Sequence, residues 1–295
     1  MTYVICGATG NIGGVAAREL LALGKSVRVI GRDATRLAAI KGADPAPGSL
    51  DDRAFLARAF AGATAVFALI PPSYGEADFR SYQNRIGEAL VHGITSAGVS
   101  HVVNLSSVGA QHARGCGPVN GLHDQEQRLN ALAGVHVLHL RPTFFMENHL
   151  GSIGAIKGMG ALPGGLKPDL ATPQIATRDV AAVVTRRLAA LDWSGKSVLE
   201  LLGPRDITMS DVARILGGSI GRDDLRYVQV GDDDVRQAFV GMGISADLAN
   251  LYVEMLRGIN EDHMVPTQSR DARTTTPTTL EVFAREVFAP VFSAG

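Results

Sequence analysis

The sequence predicts a doubly wound parallel α/β fold with a smaller mixed α/β cap toward its C-terminal end. Three features carry that expectation. Short apolar runs alternate with helix-patterned runs through residues 1–150, a glycine loop follows the first apolar run, and composition turns glycine- and proline-rich from about residue 151.

Strand-like runs fall at 3–6, 26–30, 65–70, 101–105 and 135–141. Between them, helix candidates at about 12–23, 34–40, 51–61, 76–97 and 122–133 repeat apolar residues at three- and four-residue spacing. Gly24, Gly42, Gly62, Gly98 and Gly134 stand just past their ends, as helix stops do. Strands alternating with helices imply βαβ units and a parallel sheet covered on both faces. Beyond these, Gly154, Gly158, Gly160, Pro163, Gly164, Gly165 and Pro168 make a loop-rich insert, expected to shape a pocket, before Asp179 opens another helix. Residues 198–202 read as one more strand. Thr208-Met209-Ser210-Asp211 reads as a capping box for a helix over 209–216 closed by Gly217 and Gly218. Pro277 to Glu281 caps an amphipathic helix running to Phe288. The expected organisation is a cofactor domain over 1–150, joined by a helix at about 178–190 and a strand at about 198–202, with 151–177 and 203–295 as pocket and cap.

The chain has 295 residues, 46% of them hydrophobic, enough to bury a full core. Lys and Arg (28) nearly balance Asp and Glu (29), and the longest basic run is Arg186-Arg187, so neither nucleic acid nor an anionic membrane is an expected partner. No stretch reaches the roughly 18 apolar residues that span a bilayer. The first residues run straight into Tyr3-Val4-Ile5-Cys6 without a basic leader, so a cytoplasmic location is expected. Cys6 and Cys116 are the only cysteines, which excludes a disulfide framework. The histidines lack paired metal-ligand spacing, so no metal is expected, and no Gly-x-Ser-x-Gly elbow supports serine hydrolysis.

Gly7-Ala8-Thr9-Gly10-Asn11-Ile12-Gly13 follows the first strand directly and opens the first helix. Its glycines let the backbone turn tightly and approach a pyrophosphate, while the helix N-terminus offers unpaired N–H groups and a positive dipole end. Gly7, Thr9, Gly10, Asn11, Ile12 and Gly13 are therefore the expected contacts of a Rossmann-type dinucleotide site. At the end of the second strand the chain reads Ile30-Gly31-Arg32-Asp33. An NAD site places a carboxylate there for the ribose 2′-hydroxyl; the guanidinium of Arg32 suits a 2′-phosphate, which makes NADPH the expected cofactor. Arg32 also reads as a solvated loop charge, and Asp33 as the N-cap of the next helix.

The spacing Gly-x-x-Gly-x-x-Gly resembles that of the short-chain dehydrogenase/reductase superfamily. Several stretches together resemble its atypical NmrA-like family: the glycine loop, Ile70-Pro71-Pro72, Asn104-Leu105-Ser106-Ser107, Leu140 to Asn148, Ala176 to Val180 and Leu202-Gly203-Pro204. The resemblance covers most of the chain, and Arg141 to Asn148 is its most specific part. Within the family the sequence looks like the branch of NADPH-dependent quinone and triphenylmethane dye reductases. It implies an NADPH-dependent oxidoreductase that transfers hydride to a small apolar acceptor, quinone-like or aromatic, and a homodimer. The founding regulator of the family implies the alternative, a non-catalytic NADP(H)-binding redox sensor acting on a partner protein.

The superfamily's Tyr-x-x-x-Lys dyad is missing. The residues four beyond Tyr3, Tyr74, Tyr82, Tyr227 and Tyr252 are Gly7, Asp78, Ile86, Gly231 and Leu256, which disfavours alcohol oxidation by a phenolate base. In its place stands Gly121-Leu122-His123-Asp124-Gln125-Glu126. The resemblance puts His123 where quinone and dye reductases carry His, and an imidazole can donate a proton to an acceptor receiving hydride. His123 equally reads as a helix-start residue bonding nearby backbone, or as a contact to the nicotinamide ribose. Ser106 and Ser107 end a strand at the carboxyl edge of the sheet, facing the nicotinamide or closing an ST-turn. Ile70 and Pro71 are expected to border the cofactor. Phe144, with Phe145, Met146 and Asn148, walls the nicotinamide or acceptor or packs as core; Met242, Tyr252 and Met255 are further pocket candidates.

Overall fold

In the computed structural model, which describes residues 1–294, strand and helix alternate from the start. The order is β1 (Thr2–Cys6), α1 (Asn11–Ala22), β2 (Ser26–Gly31), α2 (Ala34–Ala38), β3 (Asp44–Pro47), α3 (Arg53–Ala59), β4 (Ala63–Ala68), α4 (Phe79–Ala97), β5 (His101–Leu105), α5 (Val119–Asn130) and β6 (His136–Pro142). There follow β7 (Phe144–Phe145), a 3₁₀ turn (Met146–Ser152), α6 (Ile153–Met159), β8 (Leu162–Gly164), β9 (Thr172–Ile175), α7 (Thr177–Ala190) and β10 (Lys196–Leu201). The last third holds β11 (Asp206–Ile207), α8 (Met209–Ser219), β12 (Tyr227–Gln229), α9 (Asp232–Gly241), α10 (Ala246–Asn260), α11 (Leu280–Phe283), a π turn (Ala284–Phe288) and α12 (Ala289–Ala294).

The sheet order is β10-β6-β5-β4-β1-β2-β3, every pair parallel, so the doubly wound Rossmann fold is present with its switch point between β1 and β4. Apolar side chains fill both faces. Leu20, Leu37 and Val184 pack α1, α2 and α7 on one side, while Leu56, Ile86 and Leu129 pack α3, α4 and α5 on the other. The innermost strands β1 and β4 are thus buried on both faces and read as nearly unbroken apolar runs, each large side chain contributing about 1.5–3 kcal/mol by burial. The five glycines expected to stop helices all take positive φ. A third cluster, with Met146, Ile156, Leu216 and Phe283, forms the core of the cap.

Several boundaries differ from the sequence reading. β3 is Asp-Pro-Ala-Pro, where apolar alternation is absent; at the sheet edge its prolines forfeit no ladder bond, and Arg28 pairs with Asp44 at 2.7 Å. α5 starts at Val119 behind Pro118, which puts His123 in its second turn. α7 starts at Thr177 because the Glu147 carboxylate caps it, accepting from the Thr177 N–H at 3.0 Å and its hydroxyl at 2.6 Å. α8 runs through Gly217 and Gly218 to Ser219, with Gly217 packed against the Arg222 carbonyl. The C-terminal helix continues past Phe288 to Ala294, widening to a π turn ahead of Pro290, which has no N–H to close the preceding turn. The insert after residue 151 contains strands: β8 pairs with β12, and β9 pairs with β7 and β11. Among the described residues, no helix is long and apolar enough to cross a membrane.

Candidate active site

The glycine loop turns on Gly7, at φ +64°, and Gly10 N–H closes it on the Gly7 carbonyl at 3.0 Å. Gly13 packs so closely that a Cβ would lie 2.6 Å from the Gly7 oxygen. Gly10 is the N-cap of α1 and brings no side chain to it, so the first-turn N–H groups keep their capacity for a phosphate. Both observations fit a dinucleotide. Thr9, Gly10 and Asn11 border a groove of about 550 Å³ beside α1, whereas the Ile12 side chain is buried in the core and leaves only its backbone to a ligand. Arg32 is exposed at the end of β2, and Asp33 caps α2 by accepting from Arg36 N–H at 3.0 Å. The guanidinium of Arg36, a residue the sequence reading passed over, donates to the Thr9 carbonyl at 2.7 Å and adds a second cation to the loop.

A cleft of about 710 Å³ opens where β4, β5, β6 and β10 end, between the sheet and the cap. Ile70, Ser106, Ser107, Phe144, Phe145 and Asn148 line it, together with Tyr252 and Met255 of α10. Pro71 does not; its carbonyl accepts from the Tyr82 hydroxyl at 3.0 Å. Met146 is core, and Met242 is exposed at the end of α9. The fourth wall is a segment the sequence did not single out, from Asp262 to Arg270.

The floor of this cleft has few protons to offer. Ser106 Oγ donates to Glu126 Oε1 at 2.5 Å, Ser107 Oγ to the Val108 carbonyl at 2.9 Å, and Thr143 Oγ1 to the Leu201 carbonyl at 3.2 Å. Each hydroxyl therefore presents lone pairs to a ligand. Glu126 is buried, and Arg141 grips it with two bonds, Nε to Oε1 at 2.9 Å and a terminal nitrogen to Oε2 at 2.6 Å. This network was not legible in the sequence: Glu126 lies in the Gly121–Glu126 stretch and Arg141 in Leu140–Asn148, but nothing in their spacing says that α5 and β6 bring them together. Tyr252 stays a protonated phenol, since burial pushes it up to about 12. His123 is half-buried; its Nδ1 lies 2.8 Å from the Ala110 carbonyl, and its neighbour Leu122, rather than His123, appears in the cleft wall.

A profile of the NmrA-like family matches residues 1–284. The chain belongs to the NmrA-like family. An NAD(P)H azoreductase of Xenophilus azovorans is 27% identical over 256 residues, 85% of each chain. A (4-alkanoyl-5-oxo-2,5-dihydrofuran-3-yl)methyl phosphate reductase of Streptomyces griseus is 29% identical over 238 residues, 80% of each. Among solved structures, an NADPH-dependent quinone oxidoreductase from Escherichia coli, complexed with NADPH, superposes with a TM-score of 0.81 at 22% identity, covering 98% of this chain and 100% of that one.

The motifs that this NmrA-like chain carries after β6 are largely structural. Glu147 caps α7, and Asp179 accepts from the Thr278 N–H at 2.9 Å and its hydroxyl at 2.7 Å, tying the C-terminal segment to the sheet half. Two buried histidines set the acid limit. His139, between Asn104 and Asn130, and His149, bonded to Gln174 at 2.8 Å, are each lowered to about 4 by burial. The unfolded chain protonates them near 6.5, so their neutral form stabilises the fold fully above that pH. That contribution is lost as pH falls from about 6.5 toward 4, amounting to about 2 kcal/mol per histidine between pH 7 and pH 5. Urea titrations at those two pH values measure it, and equal midpoints would contradict the assignment.

Proposed function

We propose that this NmrA-like protein is an NADPH-dependent oxidoreductase that reduces a small, conjugated, quinone-like or aromatic acceptor. The observation that carries this reading is the cleft: largely apolar walls near the glycine loop, which also hold the Tyr252 phenol and the Thr172 hydroxyl, over a floor where the hydroxyl protons of Ser106, Ser107 and Thr143 are already engaged. Such a floor stabilises no alkoxide, which suits an acceptor that is electrophilic before it binds, for which positioning supplies most of the acceleration. The reductase relatives support the same class of reaction.

In this reading Gly7, Gly10, Gly13 and the first turn of α1 hold the pyrophosphate, Arg32 with Arg36 faces the 2′-phosphate, and Ile70 borders the cofactor. NADPH, when bound, supplies hydride from its nicotinamide. Ser106 and Ser107 offer lone pairs to the amide hydrogens of its carboxamide. Phe144, Phe145 and Met255 hold a flat acceptor and exclude water. His123, which stands beside the cleft-lining Leu122, is the proton source when its ring is doubly protonated: Nδ1–H donates to Ala110, so the proton on Nε2 is the one it can release.

A steady-state panel of quinones, triarylmethane dyes and activated enones tests the reading. A quinone needs a proton as well as hydride, whereas a triarylmethane cation is neutralised by hydride alone. His123→Ala should therefore lower kcat on quinones about 100-fold, with dye reduction and NADPH affinity little changed. Tight NADPH binding without turnover of any acceptor would reject the enzyme in favour of a redox sensor. Arg32→Glu should weaken NADPH about 10- to 100-fold relative to NADH by calorimetry, since it removes a charged hydrogen bond and adds repulsion. An unchanged preference would remove Arg32 from the site.

A further inference from the structure

β10 is the last strand of the sheet, and its outer edge is covered by the stretch that connects α10 to α11. The covering is specific. Gln268 uses its side-chain amide as a strand would, Oε1 accepting from the Glu200 N–H at 3.1 Å and Nε2 donating to the Val198 carbonyl at 3.0 Å. Further along, the Leu202 N–H donates to the Thr274 carbonyl at 2.8 Å, and Arg270 donates to the Leu202 carbonyl at 3.1 Å and pairs with Asp206.

The centre of this attachment is the carboxylate of Glu200, which is 0% exposed and has no cation at ion-pair distance among the described residues. Its donors all come from the strap: Thr267 N–H at 2.7 Å, Thr267 hydroxyl at 2.9 Å and Gln268 N–H at 2.7 Å. A buried carboxylate without these bonds would be strongly unfavourable, so strap and charge hold each other in place. The same strap turns Met264, Val265, Pro266 and Gln268 into the cleft as its fourth wall, and the Val265 carbonyl accepts from Gln111 at 3.1 Å on the loop after β5. The glycine loop lies across the sheet, beyond β6, β5 and β4, and makes no bond to the strap.

We propose that Glu200 is a positioning residue for the acceptor: through Thr267 and Gln268 it sets the wall that selects and orients the molecule to be reduced, without acting on the cofactor. The proposal rests on the reductase reading for its substrate, and its test separates the two. Glu200→Gln puts an amide NH₂ where backbone N–H groups now donate. Hydrogen–deuterium exchange over residues 264–270 should rise, and KM for menadione should rise about tenfold, while kcat stays near wild type and the NADPH Kd stays within about twofold. Glu200→Asp, which keeps the charge, should recover part of the loss. Thr267→Ala removes one donor from an exposed residue, keeps the fold safe, and should shift both readouts in the same direction by less.

Unchanged exchange and KM in Glu200→Gln and Thr267→Ala would overturn the proposal. So would a parallel weakening of NADPH and menadione in step with lost thermal stability, the signature of a merely structural residue. If the wild-type protein reduces no acceptor in the panel, the reductase reading falls. The strap is then decided by exchange and by equilibrium binding of the apolar fluorophore anilinonaphthalene sulfonate, which should weaken in Glu200→Gln.

Discussion

Glu126→Ala is expected to destabilise the protein by about 3–5 kcal/mol, because it leaves a buried guanidinium without its counter-ion. Arg141 is only 8% exposed, and both of its bonds to side chains go to Glu126. Ser106 loses its acceptor in the same step, and its hydroxyl becomes free to donate into the cleft. Equilibrium urea denaturation measures the first effect; a loss below about 1 kcal/mol would mean that water or a neighbour takes over the charge. The pair should nonetheless be replaceable as a unit. Glu126→Leu combined with Arg141→Met removes both charges, and an apolar pair of similar volume is expected to recover most of the stability. If the double variant is as unstable as the single one, the network contributes more than mutual neutralisation.

Gly13→Ala is expected to weaken NADPH binding about 5- to 150-fold, more than Gly10→Ala does. A methyl at Gly13 would sit 2.6 Å from the Gly7 oxygen, 2.9 Å from its carbonyl carbon and 3.0 Å from the Cys6 oxygen, all backbone atoms of the loop itself. None can swing aside as a side chain would. The strain, about 1–3 kcal/mol, must therefore be relieved by moving the loop away from its phosphate-binding shape. At Gly10 the nearest atom is the Gly7 oxygen at 3.3 Å, and the backbone is extended. Titration calorimetry with NADPH distinguishes the two variants, and equal affinities would show that the loop accommodates both.

The site was legible in uneven measure. The glycine loop could be read because it needs a left-handed turn at Gly7 and a close backbone approach at Gly13, and both exclude a side chain. The place of Arg32, exposed just past β2, could also be read; its role is what the Arg32→Glu comparison decides. The Ser106–Glu126–Arg141 network could not: its members come from β5, α5 and β6, and their hydrogen bonds depend on the register between β5 and β6 and on the rotation of α5 about its axis. The same reason moved His123. A shift of α5 to begin at Val119 places it in the second turn, against Ala110. The strap from Asp262 to Arg270 has no periodicity and no capping signal, and it becomes a wall only because Glu200 lies across from it on the sheet edge.

By itself the sequence determined the doubly wound fold and the loop that would hold a dinucleotide. Strand alternation, helix stops and a tight glycine turn are local properties, set by backbone sterics and by which faces must be apolar. Only the tertiary structure decided what surrounds the cleft. Those contacts join residues tens of positions apart, and whether a hydroxyl donates inward or a carboxylate is buried depends on three-dimensional packing rather than on neighbours in the chain.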